Sequence, residues 1–196
     1  MTVSEEKRIL RKRLRALEQS LPADYRERSA RAIAAALSSM EAYRNADCVC
    51  CFVGTGAEID TYPLLRDALS AGKRLCVPLC MGRGVMEMRL IASLEELSPG
   101  MMGIPEPPAD TPVVPPSEIG LLITPCLAAD RNGMRLGRGG GYYDRFLSQY
   151  RGAAVLLCRE RLLQNRIPAD AHDIPVRPVL SERGFYDTDS AGTLIL

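Results

Sequence analysis

Four short apolar runs, at residues 46–53, 75–79, 118–124 and 153–157, constrain the fold of this 196-residue chain most strongly. The first ends at Gly54-Thr55-Gly56, and none shows the polar alternation of a strand with one wet face. Such runs read as strands buried on both sides. Between the first two, a helix is expected from about Thr61 to Gly72, and another from about Gly141 to Tyr150 precedes the last. Strands alternating with helices imply βαβ units. The expectation is an α/β fold, with a mainly parallel sheet and helices on both faces, forming a single domain over residues 1–196.

Two helices should precede the first strand. Leu10, Leu14, Leu17 and Leu21 recur at helical spacing, with Ser4 as the expected cap and Pro22 as the stop. The second helix would open with a capping box at Asp24 and Glu27 and bury Ala30, Ile33, Ala34 and Leu37. Residues 85–91 read as a further strand and 93–97 as a helical turn. Seven prolines and two glycines between 98 and 117 mark a long ordered loop, and a Pro-rich tail closes the chain.

Lys+Arg 25 against Asp+Glu 24 leaves a net charge of +1, which gives no reason to expect nucleic acid or an anionic membrane as partner. No stretch approaches the roughly 20 apolar residues of a membrane span. Residues 1–8 lack the apolar core of a secretory signal, and most of the seven cysteines lie in apolar runs, as free thiols do in a reducing compartment. A cytoplasmic protein is expected. Cys48 and Cys51 stand three apart on a strand, where side chains alternate faces, so they do not chelate one ion together.

Near-neutrality averages over two cationic clusters. Residues 1–15 carry six Lys/Arg against two Glu, and residues 131–145 carry four Arg against one Asp. Lys7, Arg11 and Arg15 share one strip of the first helix, which by charge alone is an ordinary solvated face. The second cluster is Arg135-Leu136-Gly137-Arg138-Gly139-Gly140-Gly141-Tyr142-Tyr143-Asp144. Glycines let backbone N–H groups turn toward a ligand, a helix start adds positive potential, and arginines add charge-assisted bonds, so phosphate is the expected guest. The loop matches neither the Walker nor the dinucleotide fingerprint. Glu58, Asp144 and Asp173 stand in loops where strands end, the place where open α/β sheets bind ligands.

The segment 135–144 resembles the signature of the 5-formyltetrahydrofolate cyclo-ligase family. Lys7-Arg8-Ile9-Leu10-Arg11 is similar to the family's nucleotide-binding start, Glu58-Ile59-Asp60-Thr61 to its E-I-x-T segment, and Gly103-Ile104-Pro105-Glu106-Pro107 to its G-I-x-E-P turn. His172-Asp173 resembles its late aspartate motif, whereas Arg177 and Ser181 depart from its usual residues. The resemblance implies a three-layer α/β/α fold that cyclises 5-formyltetrahydrofolate to 5,10-methenyltetrahydrofolate with ATP and Mg²⁺; a monomer is expected. By the family pattern, residues 7–11 and 135–143 bind ATP, Lys7 and Arg11 on its phosphates. Val53, Glu58 and Arg138-Gly139-Gly140-Gly141-Tyr142 face the folate, Arg138 and Tyr142 being catalytic, and Asp144 and Asp173 hold Mg²⁺. The alternative is a non-catalytic folate- or nucleotide-binding regulator on the same scaffold. A sugar-phosphate isomerase would need an acid/base pair near the loop, and no convincing one is present.

Overall fold

The structure, a computed structural model, describes residues 1–100 and 103–186 and the backbone of 194–195. Helices α1 (Val3–Ser20), α2 (Ala23–Ser39) and α3 (Glu41–Asn45) precede β1 (Cys48–Cys51). Helix α4 (Tyr62–Ser70) leads to β2 (Arg74–Gly82), β3 (Val85–Ile91), β4 (Ser98–Pro99) and β5 (Pro105–Glu106). Strands β6 (Leu121–Thr124), β7 (Ala128–Asp130) and β8 (Arg135–Leu136) lead to α5 (Tyr142–Leu147) and β9 (Ala153–Leu157). The chain finishes with β10 (Leu163–Gln164), β11 (Val179–Ser181), β12 (Gly184–Tyr186) and β13 (Leu194–Ile195).

The main sheet runs β13-β12-β11-β9-β6-β1-β2-β3. Its five central strands, β11 to β2, are parallel, and β3, β12 and β13 add antiparallel edges. The chain passes from β1 to β2 on one side and returns to β6 on the other, so the strand order reverses between β1 and β6. A small sheet, β10-β7-β8, carries the approach to the glycine loop.

Strand side chains alternate between two cores. Cys48, Cys50, Cys76, Leu122 and Leu156 pack with Leu14, Phe146, Leu147 and Tyr150 on the α1/α5 side. Val49, Cys51, Leu75, Ile123 and Val155 pack with Ile33, Leu37, Leu64 and Leu65 on the α2/α4 side. The result is an α/β/α sandwich, and Cys48 and Cys51 do lie on opposite faces. No helix among the described residues is long and apolar enough to cross a membrane.

Several local expectations are corrected. Thr2, not Ser4, caps α1, because its side chain accepts from the Glu5 amide while Glu5 bonds back to it. Pro22 occupies the N-cap of α2 with no side-chain bond, so Asp24 and Glu27 form no capping box and pair instead with Arg28 and Arg31 along the helix. Leu17 is 38% exposed and Glu18 is buried in its place. At 100° per residue, Glu18 lies about 40° from Leu14 and Leu17 about 60° on the other side. Helix α5 ends at Leu147 rather than Tyr150. The Pro-rich tail, left without elements in the sequence reading, contributes β11, β12 and β13 to the main sheet.

Candidate active site

The loop after β1 is built by close packing. Gly54 lets the Ile59 carbonyl approach to where a Cβ would lie 2.0 Å away. Thr61, fully buried, donates its hydroxyl to Phe52 O at 2.8 Å and accepts from Gly54 N at 2.9 Å. From beneath, Arg159, 2% exposed, donates to Ala57 O at 2.8 Å, Glu58 O at 3.0 Å and Ser29 Oγ at 3.0 Å. Burial lowers the pKa of Arg159, opposed by the charges of Glu18, Tyr25 and Glu182. These bonds fix Glu58 at the carboxyl end of the sheet, and its Oε2 accepts from Thr55 N at 3.0 Å and Thr55 Oγ1 at 3.3 Å.

The glycine loop folds over this turn. Gly141, at φ +68°, caps the start of α5 in the left-handed conformation that a side chain would strain. Arg11 Nε donates to Gly137 O and Arg15 Nη2 to Arg138 O, both at 2.9 Å. A trans peptide holds its C=O and the next N–H on opposite sides. The N–H groups of Arg138 and Gly139 therefore face away from those guanidinium groups. Helix α5 has only six residues, so the loop amides and Arg138 outweigh any helix dipole here.

Arg138 joins the parts. Its Nε donates to Glu58 Oε1 at 2.7 Å, and its Nη2 lies 3.1 Å from both oxygens of Glu18. Glu18 and Glu58 line a small crevice of about 10 Å³, room for about one water molecule, with Phe52, Ile59, Cys126 and Arg159. Burial pushes the Glu18 carboxyl up from its usual range, while the adjacent Arg138 charge pulls it down. The sequence reading missed Glu18 and Arg159. Helical phase could have found the first; nothing local signals the second.

The other expected residues fall into three groups. Lys7 pairs with Asp173 and with Asp170 at 3.2 Å, so the basic strip is partly buried. Asp144 accepts from Arg135 at 2.6 Å and from Ile174 N at 3.3 Å, while Arg135 also donates to Ile174 O. The residue after Asp173 is thus tied to α5, bringing both acidic positions onto adjoining segments. Leu136 is buried and Tyr143 packs against both cores. Phe52 and Ile59 line the crevice, whereas Val53, 5% exposed, sits in the α2/α4 core, and Arg8 and Ile9 are exposed. The structure pairs Lys7 with Asp173, Arg135 with Asp144 and Arg138 with Glu58, the first two clusters meeting along the chain at Asp173 and Ile174, and leaves Arg8 and Ile9 exposed.

Fold and site define a protein of the open α/β class, with a small crevice beside the strand-order reversal and an arginine of the glycine loop bonded to two of the carboxylates that line it. The profile of the 5-formyltetrahydrofolate cyclo-ligase family matches residues 3–182. The chain is 32% identical over 175 residues to the 5-formyltetrahydrofolate cyclo-ligase of Mycolicibacterium smegmatis, covering 84% of this chain and 88% of that one. It is 32% identical over 145 residues to the Escherichia coli K12 protein of that name, covering 71% and 80%. The 5,10-methenyltetrahydrofolate synthetase of Aquifex aeolicus, solved by NMR, superposes with a TM-score of 0.84 at 28% identity over 97% of this chain and 96% of that one. The chain belongs to the 5-formyltetrahydrofolate cyclo-ligase family.

Proposed function

We propose that this enzyme cyclises 5-formyltetrahydrofolate to 5,10-methenyltetrahydrofolate, consuming ATP with Mg²⁺. ATP, when bound, supplies the phosphoryl group that lets the formyl oxygen leave as phosphate while N10 closes the ring. The residues fit that guest. The outward amides of Arg138 and Gly139 and the neighbouring arginines suit phosphate oxygens. Asp144 and Asp173, on tied segments, suit a hard cation that takes one or two carboxylates and completes its shell with water and phosphate.

This chain's own part is positioning and charge stabilisation. Glu58 presents a carboxylate to the N–H donors of the pterin. Arg138 and Tyr142 stand at the formyl end, and Lys7 and Arg11 reach the phosphates from α1 while Arg135 keeps Asp144 in place. The carrying observation is the Arg138 bridge, which joins the glycine loop to Glu58 in the crevice at the strand-order reversal.

The test is direct. Purified protein with 5-formyltetrahydrofolate, ATP and Mg²⁺ is expected to form methenyltetrahydrofolate, followed by absorbance, and to stop when ATP or Mg²⁺ is withheld. No ATP-dependent signal at micromolar enzyme, with both ligands still binding by calorimetry, would overturn the reading in favour of a non-catalytic regulator.

A further inference from the structure

Helix α1 turns Lys7, Leu14 and Glu18 inward, and its C-cap residue Leu21 is buried as well. Leu14 and Leu21 are 1% and 4% exposed, and Glu18 between them is 3% exposed. A carboxylate at such a position is costly unless paired, and an apolar side chain of similar size carries no such cost. Sequences break the rules of patterning where a site demands it. Here the only hydrogen bonds to the Glu18 carboxylate among the described residues come from Arg138, with both oxygens 3.1 Å from one nitrogen.

The two carboxylates on Arg138 are not equivalent. Glu58 sits on a loop at the crevice mouth and already accepts two bonds from Thr55. Glu18 sits on an 18-residue helix with its side chain only 4% exposed. The Arg138 side chain is 42% exposed, and its Nη1 donates to no described residue, so one edge of the guanidinium is open. A ligand with N–H donors competes with Arg138 for Glu58. Glu18, with a side chain 4% exposed against 15% for Glu58, is the less accessible of the two.

We propose that Glu18 is a positioning residue: it holds the Arg138 guanidinium at the crevice when a ligand takes the Glu58 carboxylate. The proposal rests on the cyclo-ligase reading above and deepens it. An arginine freed from Glu58 and lacking Glu18 would swing on its long side chain, and the pre-organisation of its planar fork would be lost.

Glu18→Leu and Glu18→Gln test this beside Glu58→Gln. Glu18→Leu is expected to melt at the wild-type temperature or higher, yet to lose about 10- to 100-fold in kcat, as misplaced catalytic groups do. KM for 5-formyltetrahydrofolate stays within about threefold, because Glu58 still receives the pterin. Glu58→Gln shows the reverse split, with KM rising most. Unchanged kcat in both Glu18 variants, or a kcat loss that only tracks a lowered melting temperature, would overturn the proposal. Wild-type protein without turnover overturns the reaction instead, and the anchor is then read by trypsin cleavage at the Arg138–Gly139 bond. Cleavage about fivefold faster in Glu18→Gln than in wild type supports the anchor, and equal rates overturn it.

Discussion

Two arginines grip the same turn and do different work. Arg159 holds the 54–60 loop by its backbone, donating to two carbonyls and a serine hydroxyl, and is 2% exposed. Arg138 holds it by the Glu58 side chain, and its own side chain is 42% exposed. The first makes bonds that no ligand replaces, because its partners belong to the fold. The second pairs with two carboxylates, one of them at a crevice mouth, in a contact a ligand can exchange. Placement rather than residue type separates a structural cation from a site cation.

The largest effect that would break this contrast is on stability. Arg159→Met keeps most of the volume but strips the Ala57 and Glu58 carbonyls and Ser29 of their charged donor. Bonds to a charged group contribute about 1.5–3 kcal/mol each, and stranded buried acceptors cost about 1–3 kcal/mol. Urea unfolding is expected to show a loss of about 3 kcal/mol or more, with activity falling because Glu58 moves. A loss under about 1 kcal/mol would remove Arg159 from the structural role.

Arg138→Ala should differ in kind: about 100-fold or more lost in kcat/KM, with a stability loss, from stranding the buried Glu18 carboxylate, that depends on pH. Burial already raises the folded pKa of Glu18, and Arg138 is the main group that lowers it, with a smaller contribution from the Arg159 charge. Without the arginine, the folded pKa rises further above the unfolded value. The folded state then binds more protons than the unfolded one, so stability falls as pH rises. The variant's deficit relative to wild type is expected to shrink as pH drops from neutrality toward the usual carboxylate range. Thermal melts across that range check the sign, and a deficit that grows on acidification would contradict it.

The contrast also explains what the sequence made legible. The parallel sheet was readable because β1, β6 and most of β9 are buried on both faces, which leaves an unbroken apolar run. Strands β7, β8, β10, β11 and β12 were not, since two or three residues carry no period. The glycine loop announced itself by composition. Glu18 was hidden because a charged residue between leucines reads as solvated unless helical phase is followed to the residue. Arg159 lies in Cys158-Arg159-Glu160-Arg161, which looks like an exposed charged turn. Only the packing of α2 and the 54–60 loop against it makes it interior. Site cations on the loop were therefore legible, and the structural cation beneath them was not.

The smallest effect sharpens the contrast at Glu58, the residue both arginines share. Thr55 bonds the Glu58 carboxylate through its amide at 3.0 Å and its hydroxyl at 3.3 Å. Thr55→Val keeps the amide and the β-branched shape and removes only the longer bond. That bond contributes about 0.5–1.5 kcal/mol, so KM for 5-formyltetrahydrofolate should rise about two- to tenfold while kcat holds. The melting temperature should stay within about 4 °C, because the Arg159 bonds to the loop backbone are intact. If kcat fell instead, Thr55 would be acting on Arg138 through Glu58, and the division between an exchangeable Glu58 and an anchoring Glu18 would have to be redrawn.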